Sequence, residues 1–517
     1  MITTTANNIV GQLPRLLPLA AALLVALPAH AQWHITPSLA ITETLTDNAN
    51  HAAGSRARAR LITEVNPGIA AWGQNEWVQL DASAEASLFG YLGGGRGGAR
   101  RNRASYDATG RLKVVDELLY VDASARSSTQ ALSAFGLLGK EARYSNENIA
   151  DVSTWSVSPY LTQRFGNFAH ATLRYTFNSV DADNSRFGSS TANGATFDLT
   201  SGRNWQDLGW NLHYARQDVD NEEFPDTSSE NARLSLNYRL SRTLKLTASG
   251  GYDRYDYDAL GGRTEGKSWS AGFGWFPSRR TKFDLSVGRH FLGKTGSLSA
   301  SHRTRRSFTN LSYSDDVTTT RSQFSLPQAV DTATLLDTLF AATIADPFER
   351  RLAIDRYLQA TGLPPSLANE VNYLTNRYFR QKLARAATVY NWRTHSTVVS
   401  LFASERVALS SSEADSGLLG SQLFALNNNV RQVGFNAAHT YRMTPVTSAN
   451  AALTATRSRS LSTDIERDQT TLSMGLTHLF SRKLQGVVEV RHSRGEYGFT
   501  STSYHANSIS ATLSAQL

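Results

Sequence analysis

The chain has 517 residues, a formal net charge of +8 and no cysteine. The lack of cysteine excludes disulfides, thiolate metal sites, cysteine nucleophiles and a lipid-modified cysteine, so an exported chain of this length needs another source of rigidity; a closed sheet is one. Eight of the 52 basic residues are Lys and the rest are Arg, whose planar fork suits acidic glycans and lipid phosphates, although Arg-rich codon usage accounts for the bias more simply.

The first thirty-one residues read as a signal peptide rather than as part of the fold. Arg15 supplies a positive n-region, Leu16 to Leu27 form an apolar core broken by Pro18, and Ala29-His30-Ala31 is an A-x-A cleavage site. That core is shorter than the roughly 20 apolar residues of a membrane helix, so the mature chain is expected to run from Gln32. An exported chain with no basic run excludes nucleic acid as a partner.

From there to the C-terminus a period of two dominates. In "RLSLNYRL", Leu234, Leu236, Tyr238 and Leu240 oppose Arg233, Ser235, Asn237 and Arg239. In "SWSAGFGWF", Trp269, Ala271, Phe273 and Trp275 share one face. "TTLSMGLTHLF" and the closing Ile509, Ala511, Leu513, Ala515 and Leu517 repeat the pattern. These are strands with one apolar and one wet face. Their length, about 10 to 15 residues, exceeds the ~5–6 usual in soluble sheets. Tyr and Trp near strand ends (Trp72, Trp77, Tyr160, Trp275, Trp392, Tyr441) fit an interfacial girdle.

Tight connections at Asp116-Glu117, Phe165 to Asn167, Ser241 to Thr243, Pro277 to Arg280, Met443 to Pro445 and Ser481 to Lys483 alternate with longer polar segments. The latter are Asp47 to Ser55, Gly93 to Arg103, Ser127 to Asn148, Asp181 to Asn193, Asp218 to Ser229 and Ser410 to Asn429. Short periplasmic turns alternating with long outer loops mark an outer-membrane barrel. The expected fold is therefore all-β: a transmembrane antiparallel barrel of about 22 strands over residues 32–517, both ends periplasmic.

One block departs from the pattern. Residues 328–377 read as a helical insert. Asp346 caps, Pro347 sits at the first helical position and Glu349 closes a capping box, while Gly362 and then Pro364 and Pro365 stop the run. Leu335, Leu336, Leu339, Phe340 and Ile344 fit one helical face, as do Leu352 and Leu358. On the outer side that face would be wet, so it is expected to pack on the lumen wall, another loop or a partner. A gate is the working reading, with Leu336, Leu339, Phe340, Gly362, Pro364, Asn372, Tyr373 and Arg377 as its candidate residues; a docking platform and a structural cap are the alternatives.

The insert and its flank, "GRHFLGKTGSLSASHRTRRSFTNLSYSDDVTT" and "DPFERRLAIDRYLQATGLPPSLANEVNYLTNRYFRQK", together with the opening "WHITPSLAITETLTDNAN", resemble the outer-membrane β-barrel family associated with PEP-CTERM and exosortase systems. The resemblance runs from about Gln32 to the end, and Gly362 to Pro364 and Asn372 to Tyr378 are its most specific segments. It implies a role in surface-polysaccharide export or envelope assembly, with exopolysaccharide and export-machinery proteins as partners. It supplies no catalytic residues.

Parity places Arg111, Lys113, Arg126, Arg174, Arg233, Arg239 and Arg491 on wet faces, with Asp107, Asp122, Asp284 and Glu489 among them. Such a lumen could pass an anionic or polyhydroxylated chain, but an ion-pair lattice that only stiffens the wall is the simpler reading. Enzymatic readings are weak: there is no H-E-x-x-H and no G-x-S-x-G on a strand. His290 and His302, on adjacent predicted strands, invite a metal site, but ordinary barrel histidines are the simpler reading. "YDRYDYDALGG", Tyr252 to Gly262, has the carboxylates for Ca²⁺ but reads more simply as a solvated loop. The expectation is a pore or scaffold in exopolysaccharide export, without cofactor or enzymatic activity, in contact with outer-membrane lipid. A non-conducting barrel that docks envelope partners is the alternative, and a lipid or glycan hydrolase a weaker one.

Overall fold

A computed structural model describes residues 32–93, 102–137, 144, 148–183, 188–222, 225–261, 263–325, 350, 353–354, 375, 377–410, 426–497 and 502–517. Twenty-two antiparallel strands, β1 (Gln32–Thr46) to β22 (Thr502–Gln516), each pair with the next in sequence. The sheet closes where β1 meets β22, in register from Ser38↔Gln516 to Thr46↔Ser508. Closure leaves no unpaired edge, which is the condition for spanning hydrocarbon with strands. The shortest strand has 10 residues (β13, Thr281–His290) and the longest 17 (β6, Ile149–Phe165).

The short connections lie on the side of the chain ends, for example 116–118 between β4 (Arg103–Val115) and β5 (Leu119–Ala131). The long ones lie on the other side, which is the outer one. Strands rise further into those loops than composition suggests: β5 continues to Ala131, and β8 starts at Ser189 and ends at Ser201. The rims of these strands are polar on both faces because they stand above the hydrocarbon, so they read as loop. The connection from β15 (Ser307–Thr318) to β16 (Phe379–Asn391) leaves and rejoins the sheet on that side, and the helical insert expected over residues 328–377 lies almost wholly outside the described residues. "FLGK" is a true outer hairpin between β13 and β14 (Gly293–Arg303), with Gly293 at φ +119° making so tight a turn possible.

Facing follows parity. Leu234, Trp269, Trp275 and Ile509 are about half exposed on the outer surface, which lipid would cover. Trp392 and Tyr441 likewise remain on the outside, as a girdle requires. Trp72 and Tyr160, expected in that girdle, instead fall on the lumen parity of their strands: Trp72 is the register partner of Asp81, and Tyr160 that of Arg174. Aromatic character near a strand end does not say which face it serves; parity does.

The interior is not an open pipe. The loop between β5 and β6 turns inward, burying Phe135 at 0% exposure and Leu137 at 3%. Phe135 and Ala134 pack against Leu426 and Val430, and Leu137 against Tyr504 and Ala506 of β22. The apolar core therefore sits inside the outer half of the lumen.

Candidate functional site

Two features of the lumen carry chemistry: a wall near the periplasmic end and the outer mouth. The wall is built by β1 to β7 (Ala169–Ala182). His34 stacks on Trp72 at 5.6 Å between ring centroids, and Tyr120 on Tyr160 at 5.2 Å and 15°. The Arg174 guanidinium lies over the Tyr160 ring at 4.1 Å, and the Lys113 ammonium over Trp77 at 5.2 Å. Asp122 is held between two guanidiniums, accepting from Arg111 Nε at 2.7 Å and from Arg174 Nη2 at 3.0 Å. Each position is set by the pleat. Arg111↔Asp122, Tyr120↔Tyr160 and Tyr160↔Arg174 are register partners, so the same face of neighbouring strands brings them together. The result is a row of flat apolar rings with cations beside and above them.

The seven expected lumen cations divide into three groups. Arg111, Lys113, Arg126 and Arg174 belong to this wall, with Arg126 paired to Asp107 at 2.6 Å and Lys113 to Asp116 at 3.0 Å. Arg233 and Arg239 line β10 (Thr227–Arg239), further round the barrel. Arg491 pairs with Glu489 on β21 (Leu484–Tyr497), where both are largely buried. The lattice reading thus describes Arg126 and Arg491. The β4–β7 group is different, because aromatic faces are interleaved with its charges.

The mouth is drawn together by residues at the two roots of the insert. A short helix, α1 (Thr320–Ser325), follows β15 and carries Arg321 to the wall of β7 and β8. There Arg321 donates to Asn178 Oδ1 at 2.7 Å, Ser190 Oγ at 2.8 Å and the Ser190 carbonyl at 3.1 Å. Burial pushes its guanidinium down to about 10, and these acceptors keep the cation solvated by protein. At the other root, Arg377 is 3% exposed and donates to the Ser410 carbonyl and to Asn428 Oδ1 at 2.6 Å. Tyr378 stacks on Tyr257, just past the outer end of β11 (Leu244–Asp256), at 4.6 Å. Of the gate candidates Arg377 is therefore placed in a buried clasp; Leu336, Leu339, Phe340, Gly362, Pro364, Asn372 and Tyr373 lie outside the described residues. Sequence reasoning missed Arg321, Tyr257 and Tyr378, although a lone Arg in a polar run after a strand is a weak signal for it.

Neither metal suggestion survives the geometry. His290 faces the lumen at the outer end of β13, whereas His302 faces outward at the periplasmic end of β14. In the Tyr252 to Gly262 run, strand pairing directs Asp253 inward and Asp256 outward, so these carboxylates do not converge. Among the described residues no group of three metal-ligating side chains is found.

No family model matches the chain, and no curated protein matches its sequence. Solved structures do match in fold. The FrpB iron transporter of Neisseria meningitidis (F5-1 variant, apoprotein form) covers 96% of this chain and 83% of its own, at 11% identity and TM-score 0.50. The siderophore receptor PirA of Pseudomonas aeruginosa covers 93% and 80%, at 10% identity and TM-score 0.44. A mutant of the ferric enterobactin receptor PfeA from the same organism covers 94% and 81%, at 9% identity and TM-score 0.46. At such identities the likeness is one of fold: this chain is a 22-stranded β-barrel of the outer-membrane kind.

Proposed function

We propose that this barrel passes an acidic or polyhydroxylated polysaccharide from the periplasm to the cell surface and closes its own mouth at rest. The observation that carries the reading is the wall of Trp72, Tyr120 and Tyr160 with Arg111 and Arg174 among the rings. A sugar ring presents an apolar face that stacks on an aromatic plane, and its carboxylates and hydroxyls suit guanidinium forks. The wall stands at the periplasmic end, where an outgoing chain would first meet the lumen. The sequence resemblance to barrels of exosortase systems agrees with an exopolysaccharide as cargo. Barrels of this width in outer-membrane transporters have a plugged lumen, which agrees with a resting mouth filled by loops.

The apolar packing of Phe135 against Leu426 favours a second reading, a non-conducting barrel that serves as an envelope scaffold. One experiment on detergent-solubilised full-length protein tests the wall. Tryptophan fluorescence is followed while oligogalacturonate or neutral maltohexaose is added. Saturable quenching by the acidic oligosaccharide, weakened at least tenfold in Tyr160→Ala and in Arg174→Gln, is expected. Absence of quenching, or equal quenching in both variants, removes the polysaccharide reading and leaves the scaffold.

A further inference from the structure

The outer surface of the barrel carries a second, unrelated concentration of charge. On the outward parity of β12 (Glu265–Ser278) to β18 (Asn429–Arg442), at their outer ends, stand Lys267, Arg289, Lys294, Arg380, Lys382 and Arg431. Among the described residues, only Glu265, Asp315 and Glu405 oppose them on that stretch of wall. Some of the charge is neutralised: Arg380 grips Asp315 through Nε at 2.7 Å and Nη2 at 2.6 Å, and Glu405 sits between Lys382 at 3.3 Å and Arg431 at 2.5 Å. Arg289 and Lys294 have no such partner among the described residues, and they are direct register partners of each other. Like charges placed opposite one another on a sheet are destabilising, so the fold alone gives no reason for the pair.

The level of these cations is informative. Immediately below them on the same face come Val287 at 57% exposure, Leu401 at 51% and Val433 at 43%, which belong to the hydrocarbon band. The charges therefore lie at the headgroup level of the outer leaflet, where a charge on the lipid-facing side costs far less than it does at mid-membrane. Level with these cations and just beyond them on the outer side, Leu292, Val407 and Leu409, with Arg380, Lys382 and Glu405, line a cleft of about 180 Å³. The β13–β14 hairpin is short, so the rim dips here and the cleft opens sideways rather than towards the lumen.

We infer that this face is a binding site for a phosphorylated, acylated glycolipid of the outer leaflet, the lipid A class. Phosphate groups occupy the space between Arg289, Lys294 and Lys382, where they relieve the like-charge pair through charge-assisted hydrogen bonds. Acyl chains run down over Val287, Leu401 and Val433, and the cleft beside Leu292 takes part of the sugar headgroup. A single annular lipid with a neutral headgroup would leave the cations unmatched. The occupant is thus selected by its phosphates.

The test uses the full chain in mild detergent and native mass spectrometry, with bisphosphorylated lipid A, chemically dephosphorylated lipid A and phosphatidylglycerol as probes. Bisphosphorylated lipid A is expected to form a discrete one-to-one complex, with the other two binding at least tenfold more weakly. Arg289→Gln, Lys294→Gln and Lys382→Gln combined should weaken that complex on the order of a hundredfold, since each cation near a charged lipid surface contributes comparably. Heat-modifiable gel migration verifies that the variant is a closed barrel; if it does not close, the three lipids compared on the unaltered protein still decide. Equal binding of dephosphorylated lipid A or phosphatidylglycerol overturns the inference, as does an unchanged complex in the closed triple variant.

Discussion

The guanidinium of Arg321, rooted beside β15, donates to Asn178 Oδ1 on β7 at 2.7 Å, eight strands round the barrel. A side chain that spans the mouth in this way is under no obligation from the sheet. Its strand, β15, is already paired on both sides, with β14 and β16. The contact therefore belongs to the closure of the lumen, and removing it separates closure from folding.

Arg321→Ala should leave assembly intact and loosen the mouth. Hydrogen bonds to a charged group are worth about 1.5–3 kcal/mol, and the acceptors left behind on Asn178 and Ser190 can take water in a mouth that opens. Planar-bilayer recordings are expected to show frequent openings in the variant and few in the unaltered protein. An unchanged closed level, with normal heat-modifiable migration, would mean that Arg321 only anchors a static cap.

Facing can be checked on a single hairpin pair. Phe273 points outward at 36% exposure, and Phe273→Arg should reduce barrel stability by roughly 2–4 kcal/mol if it lies near mid-membrane. The neighbouring lumen position Gly272 is a poor control, because a Cβ there would run into the Leu285 carbonyl and force the backbone apart. Ser299 is the better one: it faces the lumen opposite Asp284, which an introduced Arg can pair with. Urea-unfolding midpoints in lipid vesicles should fall for Phe273→Arg and hold for Ser299→Arg.

How far the sequence carried this can be seen from such residues. Alternation set the strands and the faces of Phe273 and Arg174 correctly, because a period of two is a local property that the pleat enforces. Strand count followed from turn lengths for the same reason. What sequence did not reveal were contacts between segments far apart in the chain. Trp72 and Tyr160 look like girdle residues until register shows them beside Asp81 and Arg174. The Phe135–Leu426 cluster joins residues whose loops carry no periodic signal. His290 and His302 look adjacent until register puts them at opposite ends of one hairpin. Locally encoded features were legible, and those made by closing the barrel were not.

Alkaline pH should also open the mouth. Tyr378 is buried and Tyr257, stacked on it, is half-buried, and burial raises both phenols, that of Tyr257 to about 12. Their folded values lie above the ordinary 10, so the stabilisation from the neutral pair is complete below pH 10 and is lost as pH rises through about 12. Conductance is expected to rise across that window and to return on neutralisation. Tyr257→Phe keeps the stacked ring without the ionisable hydroxyl, so its rise should be smaller and should begin at higher pH. The same onset in both proteins would place the alkaline opening elsewhere.

The insert itself poses the last test. Replacing residues 335–376 with a flexible Gly/Ser linker should leave all strand pairings available, since connections tolerate such changes better than strands do. If the insert were the whole gate, conductance would rise to the level of an open barrel of this width. The structure argues for less. Phe135 and Leu137 of the β5–β6 loop fill part of the outer lumen independently, packed on Leu426, Val430 and Tyr504. The deletion alone is therefore expected to raise conductance only partly, and Phe135→Ser alone should do little because Arg321 and Arg377 still hold the mouth. Combined, the two changes should exceed the sum of their separate effects, since each removes one of two layers that an ion must pass in series. Strictly additive effects would indicate two parallel paths instead. No conductance in the combined variant, with the barrel closed and inserted, would turn the balance to the scaffold reading.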